Sequence, residues 1–265
     1  MWLCNRGPAA VSRPFSVAQT IARTGSIFLV LFSPKNCFTL VPPSVSQICA
    51  VSRLSKKYDL ATFRQQCLQL LKNEFPTSLV KFDEISPSWT NLSVPKGTKI
   101  AEVCIPIINL ARELGLYSIL PVPSAFYLLI HSREGMQKDN LMKLDDEQDQ
   151  LAYLKAYIKI VRYYTKTPSK WLNPKSGILW DGCTTQLKCG SERKETLVAL
   201  LPDSDSDFVA SILDTWNEEW EENMCRSCAV KAKEVYEAAR QDCWQELPSY
   251  FGLDNWETLQ KMDFE

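Results

Sequence analysis

The pattern of hydrophobic positions predicts helices along most of the chain, and it is clearest in residues 47–83. Hydrophobic side chains recur there every three or four residues in two runs, which is typical of two short amphipathic helices. The runs are Ile48, Val51, Leu54 and Phe63, Cys67, Leu70, Leu71. The segment 57–59 separates the helices, and Pro76 ends the second because proline lacks the donor N–H. We expect this pair to be a docking surface for the helices downstream.

Residues 100–116 and 117–130 read as an apolar helical hairpin. Gly115 is placed to cap the first of the two helices, because glycine adopts the left-handed conformation that ends a helix. Pro106 and Pro123 are suited to helix starts, where the missing N–H has no cost. Both helices are apolar almost all round, so we expect the hairpin to be central.

Two longer helices are predicted further along. The first covers residues 145–165. Its positively charged residues lie towards the C-terminus, where the helix dipole stabilises positive charge. Its predicted core face is Leu151, Leu154, Ile158 and Val161. The second begins at Cys225 and ends before Pro248.

The first 44 residues have no clean period and are interrupted by prolines. Residues 26–40 have room for a short two-stranded ribbon, and Ser44 or Ser46 is suited to be the N-cap of the first helix. The predicted fold class is therefore mainly α, a helical array or orthogonal bundle with at most a short N-terminal β-ribbon. The predicted segments are an irregular leader (1–44), the first helix pair (45–83), a helical region (84–175) and a cysteine-containing C-terminal helical region (176–265).

Composition limits the partners of this chain. It has 265 residues, 45% hydrophobic and 23% charged, and a formal net charge of −1. Without an overall positive field, nucleic acid is not the expected partner. The short basic stripe of Lys155, Lys159 and Arg162 has acidic residues nearby and does not change that expectation. The longest strongly apolar run, Ile27–Phe32, is too short for a membrane span, which takes about 20 residues.

The ten cysteines indicate a reducing compartment. Their density is too low for a disulfide scaffold, and most lie in apolar helical patterns, where a free cysteine behaves as a small hydrophobic residue. A cytoplasmic or nuclear protein is expected. Mitochondrial targeting by residues 1–44 is a minor alternative, because no acidic residue precedes Asp59 while several arginines do.

Four of the cysteines form a candidate metal site. They are arranged as two pairs, Cys183-x5-Cys189 and Cys225-x2-Cys228. A Cys-x2-Cys pair allows both thiolates to reach one tetrahedral zinc ion, whereas the x5 spacing lies outside the usual range. The sequence leaves open a structural zinc site and a set of buried or unpaired thiols. A redox Cys-x2-Cys pair is disfavoured, because no βαβ pattern surrounds it. Positively charged residues near the cysteines would offset the charge of a tetrathiolate site; they are Lys188, Arg193 and Arg226.

Other residue patterns argue against an enzyme. His131 is the only histidine, so any Ser-His or Cys-His machinery would have to use it, and it ends an apolar helix far from a nucleophile motif. The acidic run 218–222 is typical of a solvated face. No Walker loop or dinucleotide-binding glycine pattern occurs in the sequence. Trp216 and Trp244, among the aromatic residues near the cysteines, are expected in the core.

Several longer segments carry a resemblance to a known family. The segment RLSKKYDLATFRQQCLQLL resembles the last two helices of a BTB/POZ domain. Basidiomycete fungal BTB domain-containing proteins are similar in this segment and in four that follow it: FPTSLVKFD, INLARELGLYSILP, MCRSCAVKAKEVYEAARQDCW and LPSYFGLDNWETL. The resemblance covers about residues 45–262 and implies a non-catalytic protein–protein interaction or adaptor protein.

The resemblance does not extend to the front of a BTB domain. Only 44 residues precede the helix pair, and they do not match the segment that supplies most of the dimer and cullin-scaffold surfaces. A genuine truncation and an incomplete gene model would both produce this arrangement. The resemblance therefore implies a protein partner and allows a homo-oligomer, but it gives no basis for a cullin-type scaffold. The alternative function is a zinc-stabilised factor associated with nucleic acid or transcription.

Overall fold

The computed structural model describes residues 38, 41–85, 89–116, 123–132, 138–164, 168–172, 182–200 and 212–263. The chain divides into two compact units, Met1–Leu40 and Val41–Glu265, and the helices described here belong to the second. This unit is mainly α-helical, as the hydrophobic pattern predicts. The predicted ribbon and leader lie almost entirely outside the described residues.

Ten α-helices and two 3-10 helices lie in the described part of the chain. The α-helices are α1 Val45–Lys57, α2 Ala61–Glu74, α3 Leu79–Ile85, α4 Ile100–Leu114, α5 Pro123–His131, α6 Lys138–Leu141, α7 Glu147–Tyr164, α8 Gln186–Ala199, α9 Arg226–Tyr250 and α10 Trp256–Lys261. The 3-10 helices are Pro168–Leu172 and Glu218–Glu221. Within these described segments, no helix has both the length and the apolar character needed to cross a membrane.

The first helix pair has the ends that the sequence predicts. Ser44 is the N-cap of α1: its hydroxyl accepts from the Gln47 N–H, and its own N–H donates to Gln47 Oε1 at 2.8 Å, which is a capping box. Asp59 adopts a left-handed φ of 54° in the turn to α2. The inner face of α1, with Ile48 and Val51 buried, packs on α2 and α4.

Helices α4 and α5 form the predicted hairpin, and α4 ends at a left-handed Gly115 with a φ of 71°. The expected helix start at Pro106 is wrong, because Pro106 lies in the middle of α4. A proline there removes one backbone donor, and burial of most of the α4 side chains outweighs that loss. Cys49 of α1 donates from Sγ to the Pro106 carbonyl at 3.9 Å, so this part of α4 is also tied to the first pair.

Helix α7 has the predicted extent but packs with the opposite face. Tyr153, Ala156 and Ile160 are buried, whereas the side chains expected in the core, Leu151 and Ile158 among them, are exposed. The buried face packs on α5 and α9. The helix carries hydrophobic residues on two sides. The side with Tyr153, Ala156 and Ile160 fills the core, and the side with Leu151 and Ile158 faces solvent.

Helix α9 continues through Pro248, contrary to the expectation that this proline ends it. Proline cannot donate to the carbonyl four residues earlier, which belongs to Trp244. The indole Nε1 of Trp256 donates to that Trp244 oxygen at 2.8 Å instead. A side chain of α10 therefore replaces the lost helical hydrogen bond, and α9 continues to Tyr250.

Side chains of helix α9 also bond to α3 and to the segment just before α3. The buried guanidinium of Arg240 donates to Asp83 Oδ1 at 2.6 Å and to the Leu213 carbonyl at 2.9 Å. The indole of Trp244 donates to the Thr77 carbonyl at 3.2 Å. Residues 77–83 are thus held by side chains of α9, more than 150 positions later in the chain.

Candidate metal centre

The four cysteines grouped by their spacing in the sequence lie together in the structure. The sulfur atoms of Cys183, Cys189, Cys225 and Cys228 are all within 4.8 Å of one another. The Cys183 and Cys225 sulfurs are 3.9 Å apart. A zinc ion with tetrahedral bonds of about 2.3 Å needs sulfurs roughly 3.8 Å apart, so a small contraction of this cluster would fit the ion.

The unusual x5 pair reaches the cluster by means of a turn and a helix start. Gly182 has a φ of 91°, in the left-handed region that glycine adopts without strain, and it places Cys183 outside the helix. Cys189 lies in the first turns of α8, which begins at Gln186. The five intervening residues therefore reverse the chain and begin a helix, and both sulfurs point to one place.

The x2 pair lies at the start of α9. Cys225 is the N-cap residue of this helix, and Cys228 is at the third helical position, one turn later. The N-terminal end of a helix carries positive partial charge, which favours a thiolate. Backbone N–H groups of Thr184 and Cys228 stabilise the Cys225 thiolate and lower the pKa of Cys225 to about 5.

Hydrogen bonds to sulfur connect the two pairs. The Cys225 N–H donates to Cys189 Sγ at 3.2 Å, and Thr185 Oγ1 lies 3.3 Å from the same sulfur. Burial and the neighbouring thiols raise the pKa of Cys228, because the low-polarity site disfavours a second negative charge. A divalent cation would reverse that preference, since a coordinating thiol is deprotonated.

The cluster is half open to solvent and half closed. Cys189 and Cys228 are fully buried, whereas Cys183 and Cys225 are partly exposed. Arg193 is buried one helical turn after Cys189. Burial lowers the pKa of Arg193, and the nearby Cys228 thiol acts in the opposite direction. Arg193 is thus the predicted charge-offsetting residue that the fold buries beside the sulfurs, while Lys188 and Arg226 lie exposed.

An aromatic cluster packs beside the cysteines and fixes the helices that carry them. It contains Trp171, Trp216, Trp220 and Tyr236, with the Trp216 and Trp220 rings edge to face at 5.1 Å. Met224, next to Cys225, packs against it. The prediction that Trp216 and Trp244 are core residues is confirmed by their burial.

The remaining sequence candidates are not part of the cysteine cluster. His131 ends α5, and its Nε2 lies 3.3 Å from Asp214 Oδ1. Most of the acidic run 218–222 is exposed, as expected for a solvated face. The four other cysteines that the structure describes are buried and form no disulfide, which agrees with their interpretation as small hydrophobic residues; they are Cys49, Cys67, Cys104 and Cys243.

A separate groove of about 690 Å³ lies between α1 and the first half of α4. Its polar residues bond to neighbours: Arg53 pairs with Glu113 at 2.6 Å, and Asn109 bonds to the backbone of Lys143. Cys49 lines the groove, and burial raises the pKa of its thiol to about 11, so that it stays protonated at neutral pH. The lining therefore contains no thiolate nucleophile at Cys49.

Sequence reasoning missed the residues that position the sulfurs. Thr185, the N-cap residue of α8, contacts Cys189, and Gly182 supplies the turn before Cys183. A Gly-Cys-Thr-Thr sequence directly before a helical pattern is the local signal for both roles, since threonine favours N-caps and glycine favours positive φ.

Comparison with known proteins adds no family to the cysteine cluster or to the helical fold. No family model matches the chain, and neither a curated protein nor a solved structure gives a match.

Proposed function

We propose that this protein is a non-catalytic protein-binding adaptor whose C-terminal helical region is held by a structural zinc ion. The observation that carries the proposal is the convergence of four cysteine sulfurs from two segments separated in sequence. Cys183 and Cys189 precede or begin α8, while Cys225 and Cys228 begin α9. An ion bound to all four would fasten the starts of both helices to each other.

The ligand set supports a structural role for that ion. Four thiolates complete a tetrahedral zinc shell, whereas catalytic zinc sites keep one position open for water or substrate. The backbone and hydroxyl groups of Cys225 and Thr185 near the Cys189 sulfur, together with the buried Arg193, supply the outer contacts that orient ligands and offset charge.

The adaptor role rests on the resemblance of residues 45–262 to fungal BTB domain-containing proteins. We propose that this chain is related to that family. Exposed hydrophobic side chains on α7 agree with a protein-binding role. We place such an adaptor in the cytoplasm or nucleus, where free thiols and zinc-thiolate sites persist.

Metal analysis of the purified chain tests the zinc site. We expect about one zinc per chain in the wild type, and almost none in Cys228→Ser together with a large loss of thermal stability, because metal binding is coupled to folding. Cys243→Ser is the matched control, since Cys243 is fully buried on the same helix but lies outside the cluster. It should keep its zinc even if it loses some stability. A wild type without zinc, or a Cys228→Ser variant with unchanged metal content, would overturn the zinc proposal.

Binding assays separate the adaptor from the alternative function, a zinc-stabilised factor that binds nucleic acid. Affinity purification of the zinc-loaded chain under native conditions should recover defined protein partners. Mixed single- and double-stranded oligonucleotides should bind weakly or not at all. Tight oligonucleotide binding that falls steeply between low and high salt would favour the alternative, because phosphate contacts release counterions.

A further inference from the structure

Helix α7 has a second hydrophobic face that nothing in the described chain covers. Its core side contains Tyr153, Ala156 and Ile160. On the opposite side, Leu151 is 51% exposed, Leu154 is 39% exposed and Ile158 is 52% exposed. Val161 follows on the same side and is partly exposed. These four residues are called the α7 stripe below.

The spacing of the α7 stripe is that of a helix-pairing seam. Its residues are separated by three, four and three positions, which is the repeat that two packed helices use at their contact. The 18 residues of α7 extend for about 27 Å, long enough to pair with several turns of a second helix. The stripe therefore has the geometry to receive an amphipathic helix.

Charge is distributed unevenly along the two edges of the α7 stripe. Lys155 and Arg162 follow stripe residues by one position, so they lie along one edge. Lys159 lies further round on that side and donates from Nζ to the Ser249 carbonyl at 3.1 Å. The other edge contains the uncharged residues Gln150 and Tyr157, and the exposed Glu147, one turn before Leu151, puts a negative charge at the N-terminal end of the stripe. A helix that docks on the stripe meets a positively charged edge along its C-terminal half.

We infer that the α7 stripe docks an amphipathic helix of a partner protein whose apolar seam is flanked by acidic residues. This inference rests on the proposed adaptor function and names the chemistry of the partner. A second copy of this chain is a poorer fit. Antiparallel pairing would set the two Lys155 side chains on the same side of the seam near its middle, with an opposite-charge contact only between Arg162 and Glu147 at its ends. Parallel pairing would set each basic edge against the uncharged Gln150 and Tyr157.

A displayed peptide library tests the inference on the whole zinc-loaded chain. Each peptide is an 18-residue helix with a fixed leucine seam and with Glu, Gln or Lys varied at the flanking positions. The wild type should enrich Glu at the flanks, and Lys155→Glu/Arg162→Glu should enrich Lys. Selected Glu peptides should bind the charge-reversed variant several-fold more weakly than the wild type, and high salt should reduce the difference.

Leu154→Asp/Ile158→Asp should abolish the enrichment. The matched control is Leu187→Asp, at a leucine that is 93% exposed on another helix. It should behave as the wild type. Circular dichroism and thermal unfolding establish that each variant is folded.

Three results would overturn the inference. They are no enrichment on the wild type, equal enrichment on Leu154→Asp/Ile158→Asp, and a wild-type dimer that the same double substitution dissociates. If defined protein partners are still recovered and are insensitive to these substitutions, the adaptor function stands and only the docking site is wrong. If no partner is recovered in any assay, both fail.

Discussion

The backbone N–H of Cys225 donates to the sulfur of Cys189 at 3.2 Å and joins the start of α9 to the first turns of α8. A sulfur that accepts such a bond is held in position by backbone rather than by a flexible side chain. The cysteine cluster is therefore partly organised by the fold itself, and an ion would complete an arrangement that already exists.

Replacing Arg193 by methionine should weaken zinc binding. Arg193 is a buried cation beside the sulfurs, and a tetrathiolate zinc site carries an excess negative charge that this cation offsets. We expect the zinc affinity of Arg193→Met to fall about 10-fold to 100-fold, the usual effect of losing an outer-shell group. Competition with a chromogenic chelator measures the affinity.

Lys188→Met is the control for this prediction, because Lys188 precedes Cys189 but is exposed. Screening by solvent should leave its zinc affinity nearly unchanged. Equal effects of the two substitutions would show that only net charge matters, and that the buried position of Arg193 has no special role.

The buried carboxyl of Glu74 should make stability depend on pH. Glu74 ends α2, accepts from the Asn91 N–H, and has a second oxygen without a hydrogen-bond partner among the described residues. Burial raises the pKa of Glu74, and the backbone N–H groups of Asn91 and Leu92 reduce the shift only in part. Because the folded state favours the protonated form, the stability from this group is complete below its unfolded pKa and is lost as pH rises through the folded pKa.

Glu74→Gln should therefore gain stability relative to the wild type as pH rises from about 4 to about 8. Thermal or urea unfolding at several pH values measures the difference between the two proteins. Glu84→Gln, at an exposed position, is the control and should give a flat difference. If Glu74→Gln instead loses stability relative to the wild type with rising pH, the folded state lowers the pKa of Glu74 and does not raise it.

The ion pair between Arg112 and Asp149 should stabilise the contact of α4 with α7 strongly. Asp149 is 1% exposed, and Arg112 donates to it from Nε at 2.9 Å and from Nη2 at 2.6 Å. Arg112→Met leaves an unpaired buried carboxylate and should cost about 3–5 kcal/mol in the free energy of unfolding. In an Asp149→Asn background the same substitution should cost much less, because no buried charge remains.

The surface pair of Arg53 and Glu113 provides the comparison for this cycle. Its shortest distance is also 2.6 Å, but both side chains are about half exposed. We expect a coupling of about 0–1 kcal/mol there. Similar couplings at the two pairs would mean that burial does not decide the strength of the Arg112–Asp149 contact.

Hydrophobic periodicity predicts most helices of this fold but not how they face. The ends of α1 and α4 follow from local chemistry, because Ser44 and Gly115 supply caps that depend only on neighbouring residues. The buried side of α7 does not, since this helix is apolar on two sides and only its packing on α5 and α9 decides between them. Sequence periodicity gives the stripes of a helix, whereas the choice of the buried stripe depends on distant residues.

The cysteine cluster has the same division between local and distant causes. The x2 pair has a known ligand spacing, and the helix start at Cys225 is readable from the sequence. The x5 pair is outside that spacing, and its approach depends on the positive φ of Gly182 and on packing of α8 beside the aromatic cluster. The sequence therefore identifies the four residues but not the contacts of Cys189 with Thr185 and Cys225.

The hydrogen bond from the Trp256 indole to the Trp244 carbonyl should stabilise the end of α9. Pro248 cannot supply the helical donor for that buried carbonyl, and the Trp256 indole does so at 2.8 Å. Trp256→Phe keeps an aromatic ring beside Trp244 but removes the donor. It should cost about 1–3 kcal/mol, the penalty for a buried polar group without a partner, measured by urea unfolding.

Pro248→Ala restores a backbone N–H at the position that normally donates to the Trp244 carbonyl. The double variant Trp256→Phe/Pro248→Ala should therefore recover a good part of the stability that Trp256→Phe loses. Pro248→Ala alone should have a small effect, because the carbonyl already has a donor in the indole. If Pro248→Ala shifts stability equally in both backgrounds, the missing donor does not explain the cost. In that case the loss arises from the stacked contact of the Trp244 and Trp256 rings, whose centroids are 5.1 Å apart.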